Sequence, residues 1–182
     1  MRLEQHIDHL KRAMEAAHFL GVETIRIFTF WRTEDPLPLY PRIAEIIRPM
    51  AELAERENMR LLIENESACN VATSLELRHM LAMLPQTAVG INWDPHNSLR
   101  FESEPFPTGY RLLPRERLRN VQIKGESLLK QGEILDWRGI VDALLADGYN
   151  GRFGLETHFG QGEQRVRNAH ASMKAILALV QD

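Results

Sequence analysis

The sequence predicts an α/β fold: a partial (β/α) barrel of about five parallel strands with helices outside, forming one domain over residues 1–182. Three observations predict it. Segments of helical and strand periodicity alternate along the chain, which implies right-handed βαβ units and a parallel sheet. Each strand has one apolar face and one small or polar face, whereas parallel strands of an open sheet are usually apolar on both. Several strands also end on polar residues of matching parity, at the end where barrels carry their sites.

The elements follow in order. Leu3, Ile7, Leu10, Met14 and Ala17 fall on one helical face, with Gly21 as the stop. VETIRIFTF (22–30), rich in β-branched and aromatic residues, reads as the first strand. The proline-rich EDPLPLYP reads as a loop, and 42–57 returns to helical spacing with a kink or break expected at Pro49. RLLIEN is the second strand. Thr73 to Glu76 form a capping-box pattern that opens a helix to about Leu84. AVGINWD (88–94) is the third strand. Residues 95–119, broken by Pro105, Pro107, Gly109 and Pro114, read as an irregular loop with a short helix near 108–113. NVQIKGE holds the fourth strand, Asp136 caps a helix to about Ala146 that Gly148 ends, GRFGLET is the fifth strand, and a helix from about Glu163 to Val180 closes the chain.

Composition bounds the class. Hydrophobic residues make up 44% and charged residues 26%, as in ordinary soluble domains. A net charge of −3 gives no basic excess, so no nucleic-acid partner is expected. No run approaches the ~18 apolar residues of a membrane span. One cysteine, Cys69, rules out an internal disulfide and fits a reducing compartment. The charged N-terminal stretch does not read as a secretory signal. A cytoplasmic location is expected.

Strand parity brings the chemistry together. Leu61 and Ile63 oppose Leu62 and Glu64; Val89, Ile91 and Trp93 oppose Gly90, Asn92 and Asp94. Val121 and Ile123 oppose Asn120, Gln122 and Lys124; Phe153 and Leu155 oppose Arg152, Gly154 and Glu156. In the first strand Ile25 and Ile27 oppose Thr24, Arg26 and Phe28. Glu64, Asp94, Gln122 and Glu156 therefore occupy one end of one face. Each alone has an ordinary reading: Asp94 before Pro95 starts a turn, and Glu156 before Thr157 is a polar loop residue. Crowded carboxylates, however, raise one another's pKa unless a cation neutralises them, and an oxygen-rich set suits Mg²⁺ or Mn²⁺. Arg26 and Lys124 point inward, either to balance the carboxylates or to bind substrate. Trp31 either stacks on a sugar ring or packs a loop. His6, His9 and His79 read as surface residues.

The stretches LLIENE, VGINWDPHN, VQIKGE and GEILDWRGIVDALLADGYNGRFGLET resemble the xylose isomerase-like TIM barrels, a superfamily of sugar and sugar-phosphate isomerases and epimerases that also holds apurinic-site endonucleases. The resemblance runs over roughly residues 10–160. It implies a divalent metal, Mn or Mg first and Co or Zn otherwise, held by Glu64, Asp94, Gln122 and Glu156. Gln122 departs from the family, which carries His there, and Gly125 followed by Glu126 stands where the family places an acidic residue. The resemblance further implies catalysis by Glu64 and Glu156, exchanging a proton between adjacent carbons of an open-chain sugar through an enediolate. His96, Asn97, Lys124, Glu66 and Arg26 would bind the substrate. The endonuclease branch needs more histidines near the site and a basic surface. Family barrels have eight strands and ~250 residues. The strand at 22–30 aligns with the fourth, so the chain corresponds to the C-terminal part of a barrel. Two expectations follow: a homo-oligomer that covers the open sheet edges, or a truncated, catalytically inactive carbohydrate-binding or structural remnant.

Overall fold

A computed structural model describes residues 3–84, 87–129, 135–158 and 160–181. Gly132 and Glu133, which begin the last family-like stretch, lie outside the described residues. Five strands form one parallel sheet: β1 (Thr24–Ile27), β2 (Arg60–Glu64), β3 (Val89–Trp93), β4 (Leu118–Lys124) and β5 (Arg152–Glu156). They pair in sequence order, β1 to β5, with β1 and β5 at the edges. A doubly wound sheet reverses its order at a switch point; this sheet does not, and is part of a (β/α) barrel.

Helix α1 (Leu3–Phe19) buries Leu10, Met14 and Ala17. It ends as a Schellman motif. Gly21, at φ 67°, donates to His18, and Val22 donates to Ala17 at 2.9 Å. Helix α2 (Tyr40–Arg56) begins two residues before its sequence-based start, with Pro41 in its first turn, where a missing N–H costs nothing. Of the kink or break expected at Pro49, the break does not occur: the helix runs through it as one element. The carbonyl that Pro49 leaves without an amide is that of Glu45, a residue on the exposed side of the helix. Helix α3 (Ser74–Ala82) carries the expected capping box, Glu76 N donating to Thr73 Oγ1 at 3.2 Å and Thr73 N to Glu76 Oε2 at 3.1 Å.

Three stretches differ from expectation. The first strand stops at Ile27 rather than Phe30. Beyond it the backbone bonds to the 68–71 loop: Val71 N donates to Thr29 Oγ1, Asn70 N to Phe30 O, and Arg32 N to Ala68 O. Phe30 adopts φ 65°, which turns the chain off the sheet. The 95–119 segment carries the expected short helix, α5 (Tyr110–Leu112), but adds α4 (Pro95–Ser98) before it and a 3₁₀ turn at Arg115–Arg117 after it. An unexpected helix, α6 (Gly125–Leu129), follows β4 directly. The last two helices, α7 (Trp137–Ala146) and α8 (Gly162–Gln181), lie where the periodicity placed them.

The core lies between the sheet's apolar face and these helices. Ile63, Val89, Ile91, Trp93, Val121 and Ile123 are fully buried against residues of α2, α3 and α7. A smaller cluster seats Leu10 and Met14 of α1 on Leu61 and Met59. The opposite, polar strand face is thereby left to form a concave surface. No helix among the described residues is long and apolar enough to cross a membrane.

Candidate metal centre

Glu64 ends β2, Asp94 follows β3, and Glu156 ends β5, so three separate strand ends deliver one carboxylate each. One oxygen from each lies within 4.8 Å of the others. Glu64 and Asp94 are buried, and Glu156 is half-buried.

Asp94 serves two purposes. Its Oδ1 accepts the Asn97 amide at 2.9 Å and caps α4. Its Oδ2 is buried and accepts no hydrogen bond; Lys124 Nζ stands 3.3 Å away, an ion-pair distance without hydrogen-bond geometry. Burial raises the Asp94 pKa and the Lys124 ammonium opposes this, leaving it above the ordinary carboxylate value. Asn65 fixes the backbone at this point. Its Oδ1 accepts Asp94 N at 2.8 Å, and its Nδ2 donates to Asp94 O at 2.6 Å and Ser98 Oγ at 3.0 Å.

Glu64 is surrounded by donors. Arg26 at 2.9 Å and Asn92 at 2.8 Å reach Oε2, while Gln122 and Asn97, each at 3.3 Å, reach Oε1. Burial pushes its pKa up to about 7, with Arg26 pulling the other way. Glu156 has the opposite balance. Burial would raise it, but hydrogen bonds and charge from Lys124, at 2.6 Å, and from His158 outweigh burial and bring it to about 2. Lys124, which burial alone would depress, is held above its usual value by Asp94 and Glu156.

Among the other residues the sequence proposed, Gln122 reaches the cluster, but its Nε2 faces Glu64 and Glu156 while its Oε1 accepts from Asn92 at 2.8 Å. Asn97 bridges Glu64 and Glu66, donating to Glu66 Oε2 at 3.0 Å. Arg26 and Lys124 both form ion pairs with the carboxylates. His96 is half-buried, acts on Asp94 through charge, and its side chain makes no hydrogen bond among the described residues. Trp31 is exposed and, with Phe28, Phe30 and Glu66, lines an apolar cavity of about 840 Å³ beside the cluster.

Sequence reasoning missed Asn65. Its parity places it on the apolar side of β2, and a polar residue there must be satisfied internally. That mismatch was the available signal. Gly125, at the family's acidic position, also has a local cause. A Cβ there would lie 2.7 Å from Ser172 Oγ of α8 and 2.8 Å from Thr157 Oγ1, so no larger residue fits without a shift.

The donor set fits a hard divalent ion. It offers three carboxylates, one of which, Asp94, has a buried oxygen without a hydrogen bond. Gln122 would add a neutral oxygen only with its amide turned over.

The chain matches the model of the xylose isomerase-like TIM barrel family over residues 1–177. No curated protein matches its sequence. Among solved structures it is similar to D-psicose 3-epimerase from Clostridium cellulolyticum H10, with TM-score 0.82 and 17% identity over 98% of this chain and 72% of that one. It also resembles 3-keto-D-glucoside 4-epimerase from E. coli, with TM-score 0.75 and 16% identity over 95% and 69%. An IolI protein with a zinc atom gives TM-score 0.77 and 13% identity over 96% and 68%. At these identities the likeness shows the shared fold.

Proposed function

The chain belongs to the xylose isomerase-like TIM barrel family, and from that premise we propose that it is a metal-dependent isomerase or epimerase of a small sugar or sugar phosphate. The observation that carries this reading is the meeting of Glu64, Asp94 and Glu156 at three strand ends, with the buried Asp94 Oδ2 accepting no hydrogen bond. Glu64, Asp94 and Glu156 would hold a divalent cation, with Gln122 as a fourth, weaker donor. The cation's chemistry there is to polarise a carbonyl and so acidify the adjacent C–H.

The chain's own residues supply the rest. Glu64 and Glu156 stand on β2 and β5, with Asn92 and Gln122 between them. A substrate carbon between the two carboxylates can lose a proton to one and regain it from the other on its opposite face, as inversion through an enediolate requires. Lys124 and His158 fix the orientation of Glu156; Arg26 and Asn97 fix that of Glu64. Asn97, Glu66, Lys124, Arg26 and His96 would orient substrate hydroxyls. The exposed edges β1 and β5 suit association between copies, which belongs to the same proposal.

A second reading, carbohydrate binding without turnover, draws on one observation. The Gln122 amide and the Lys124 ammonium already hydrogen-bond the carboxylates. Proton exchange decides between them. With Mn²⁺ present, free ketohexoses and their phosphates are incubated in D₂O and deuterium at the carbon beside the carbonyl is followed by NMR. Exchange that is lost in Glu156→Gln supports the enzyme. Mn²⁺ binding with no exchange across the panel favours the binding reading.

A further inference from the structure

Below the carboxylates the concave strand face opens into a cavity of about 770 Å³. That size suits a small molecule. Barrel interiors of this fold are normally filled by branched apolar side chains. Here the lining includes Arg26 on β1, Arg60 on β2, Arg119 on β4 and Arg152 on β5, facing only Glu23 and Glu116 as acids. The whole chain carries −3, so this local excess of positive charge runs against the molecule's average.

Two of the four cationic groups are uncommitted. Arg26 pairs with Glu64. The Arg119 guanidinium donates only to the main-chain carbonyls of Glu116 and Leu118, at 2.7 and 3.1 Å. The side chains of Arg60 and Arg152 are exposed and have no hydrogen-bond or ion-pair partner among the described residues. Arg119 reaches the cavity through a local device. The β3–β4 register pairs Ile91 with Leu118 and then Asn92 with Asn120, so Arg119 is an extra residue that bulges out of the ladder. Gly90 leaves it room, since a Cβ there would lie 3.1 Å from Arg119 Cγ and 2.9 Å from Arg117 O. Thr24, Asn120 and Asn150 add neutral donors to the same wall.

Guanidinium forks match phosphate oxygens two at a time. Strands stand about 4.8 Å apart, so Arg60 and Arg152, three strand spacings apart, are separated by roughly 14 Å along the sheet at their backbones. One phosphate cannot serve that whole row. We propose that this concavity is a binding site for a ligand bearing two or more phosphate groups. The inference rests on the arginine wall and stands whether or not the carboxylates above bind metal.

The test uses sodium tripolyphosphate as probe, by isothermal titration calorimetry on the full chain in EDTA at low salt, with circular dichroism to confirm folding of each variant. Saturable binding is expected, weakened at least tenfold in Arg60→Ala/Arg152→Ala and within twofold of the parent in Arg78→Ala, an exposed arginine on α3 outside the cavity. Arg60→Lys/Arg152→Lys keeps the charge but loses the planar fork, and at least a threefold loss is expected; this pair decides the matter if the alanine pair does not fold. No saturable binding overturns the proposal, as does an equal loss in Arg78→Ala or equally tight binding of citrate. Elution as a dimer that does not bind the probe overturns it too, because a second copy then covers the face.

Discussion

Replacing Lys124 with Met tests whether the carboxylates hold a resident charge problem that a cation solves. The ammonium lies 2.6 Å from Glu156 Oε2 and 3.3 Å from Asp94 Oδ2, and its side chain is 10% exposed. Methionine fills similar space and removes the charge. Removing one partner of a buried ion pair costs ~3–5 kcal/mol. Glu156 retains some solvent contact, which puts the expected loss near the lower bound, about 3 kcal/mol. In a chain of 182 residues each kcal/mol moves Tm by ~2–4 °C, so a fall of roughly 6–12 °C is expected at pH 7 in EDTA. The sign of the pH dependence follows from Asp94. Its folded pKa is already raised, and losing the ammonium raises it further. A raised folded pKa gives stability that is present below the unfolded value and lost as pH rises through the folded one. The deficit should therefore shrink at pH 5. Mn²⁺ at about 100 times its Kd should restore ~2.7 kcal/mol, and should bind the variant more tightly than the parent because no ammonium competes. Thermal unfolding by circular dichroism at both pH values, with and without Mn²⁺, measures all of this. A variant that unfolds with the parent at pH 7, or loses as much at pH 5, would refute the reasoning.

Other expectations are quicker to check. In the metal-free chain Glu64, raised to about 7, makes stability fall by roughly 2 kcal/mol as pH climbs from about 5 to 7.5, while Glu156, lowered to about 2, contributes stability that is full above about 4.5 and is lost as pH falls from there toward 2; urea midpoints in EDTA that stay level from about pH 5 to 7.5 would contradict it. Asp94→Asn keeps a good cap for α4 and removes a charge whose burial is costly, while Lys124 keeps Glu156 as its partner, so Tm should change by only a few degrees while Mn²⁺ affinity by calorimetry drops at least a hundredfold; unchanged affinity would remove Asp94 from the ligand set. Gly125→Ala should cost ~1–3 kcal/mol, because its Cβ meets Ser172 Oγ and Thr157 Oγ1; a neutral result in denaturant unfolding would mean that α8 yields easily.

Strand periodicity carried most of what could be read beforehand. Alternation in RLLIE, VGINW, VQIK and RFGLE is a property of local geometry, since successive side chains point to opposite faces wherever a strand forms. Once parallel strands were inferred, the polar ends of β2, β3, β4 and β5 had to fall on one side. The end of the first strand was not legible. Val22 to Phe30 have uniform strand propensity, and only the bonds of Thr29, Phe30 and Arg32 to the 68–71 loop decide that pairing stops at Ile27. Helix α6 was hidden for a similar reason. Gly125 reads as a breaker until α8 is seen to lie against it.

By itself, then, the sequence determined the α/β class, the parity of each strand and the residues that share the polar face, because these follow from local periodicities, about 3.6 residues in a helix and two in a strand. Tertiary structure alone decided how far apart those residues stand and which groups neutralise them. The Asp94 oxygen met only by an ammonium, the Gln122 amide turned toward two carboxylates, the Lys124 bridge and the arginine wall beneath them all depend on atoms from different strands. Distances between such atoms are set by packing of the whole sheet, and no local pattern encodes them.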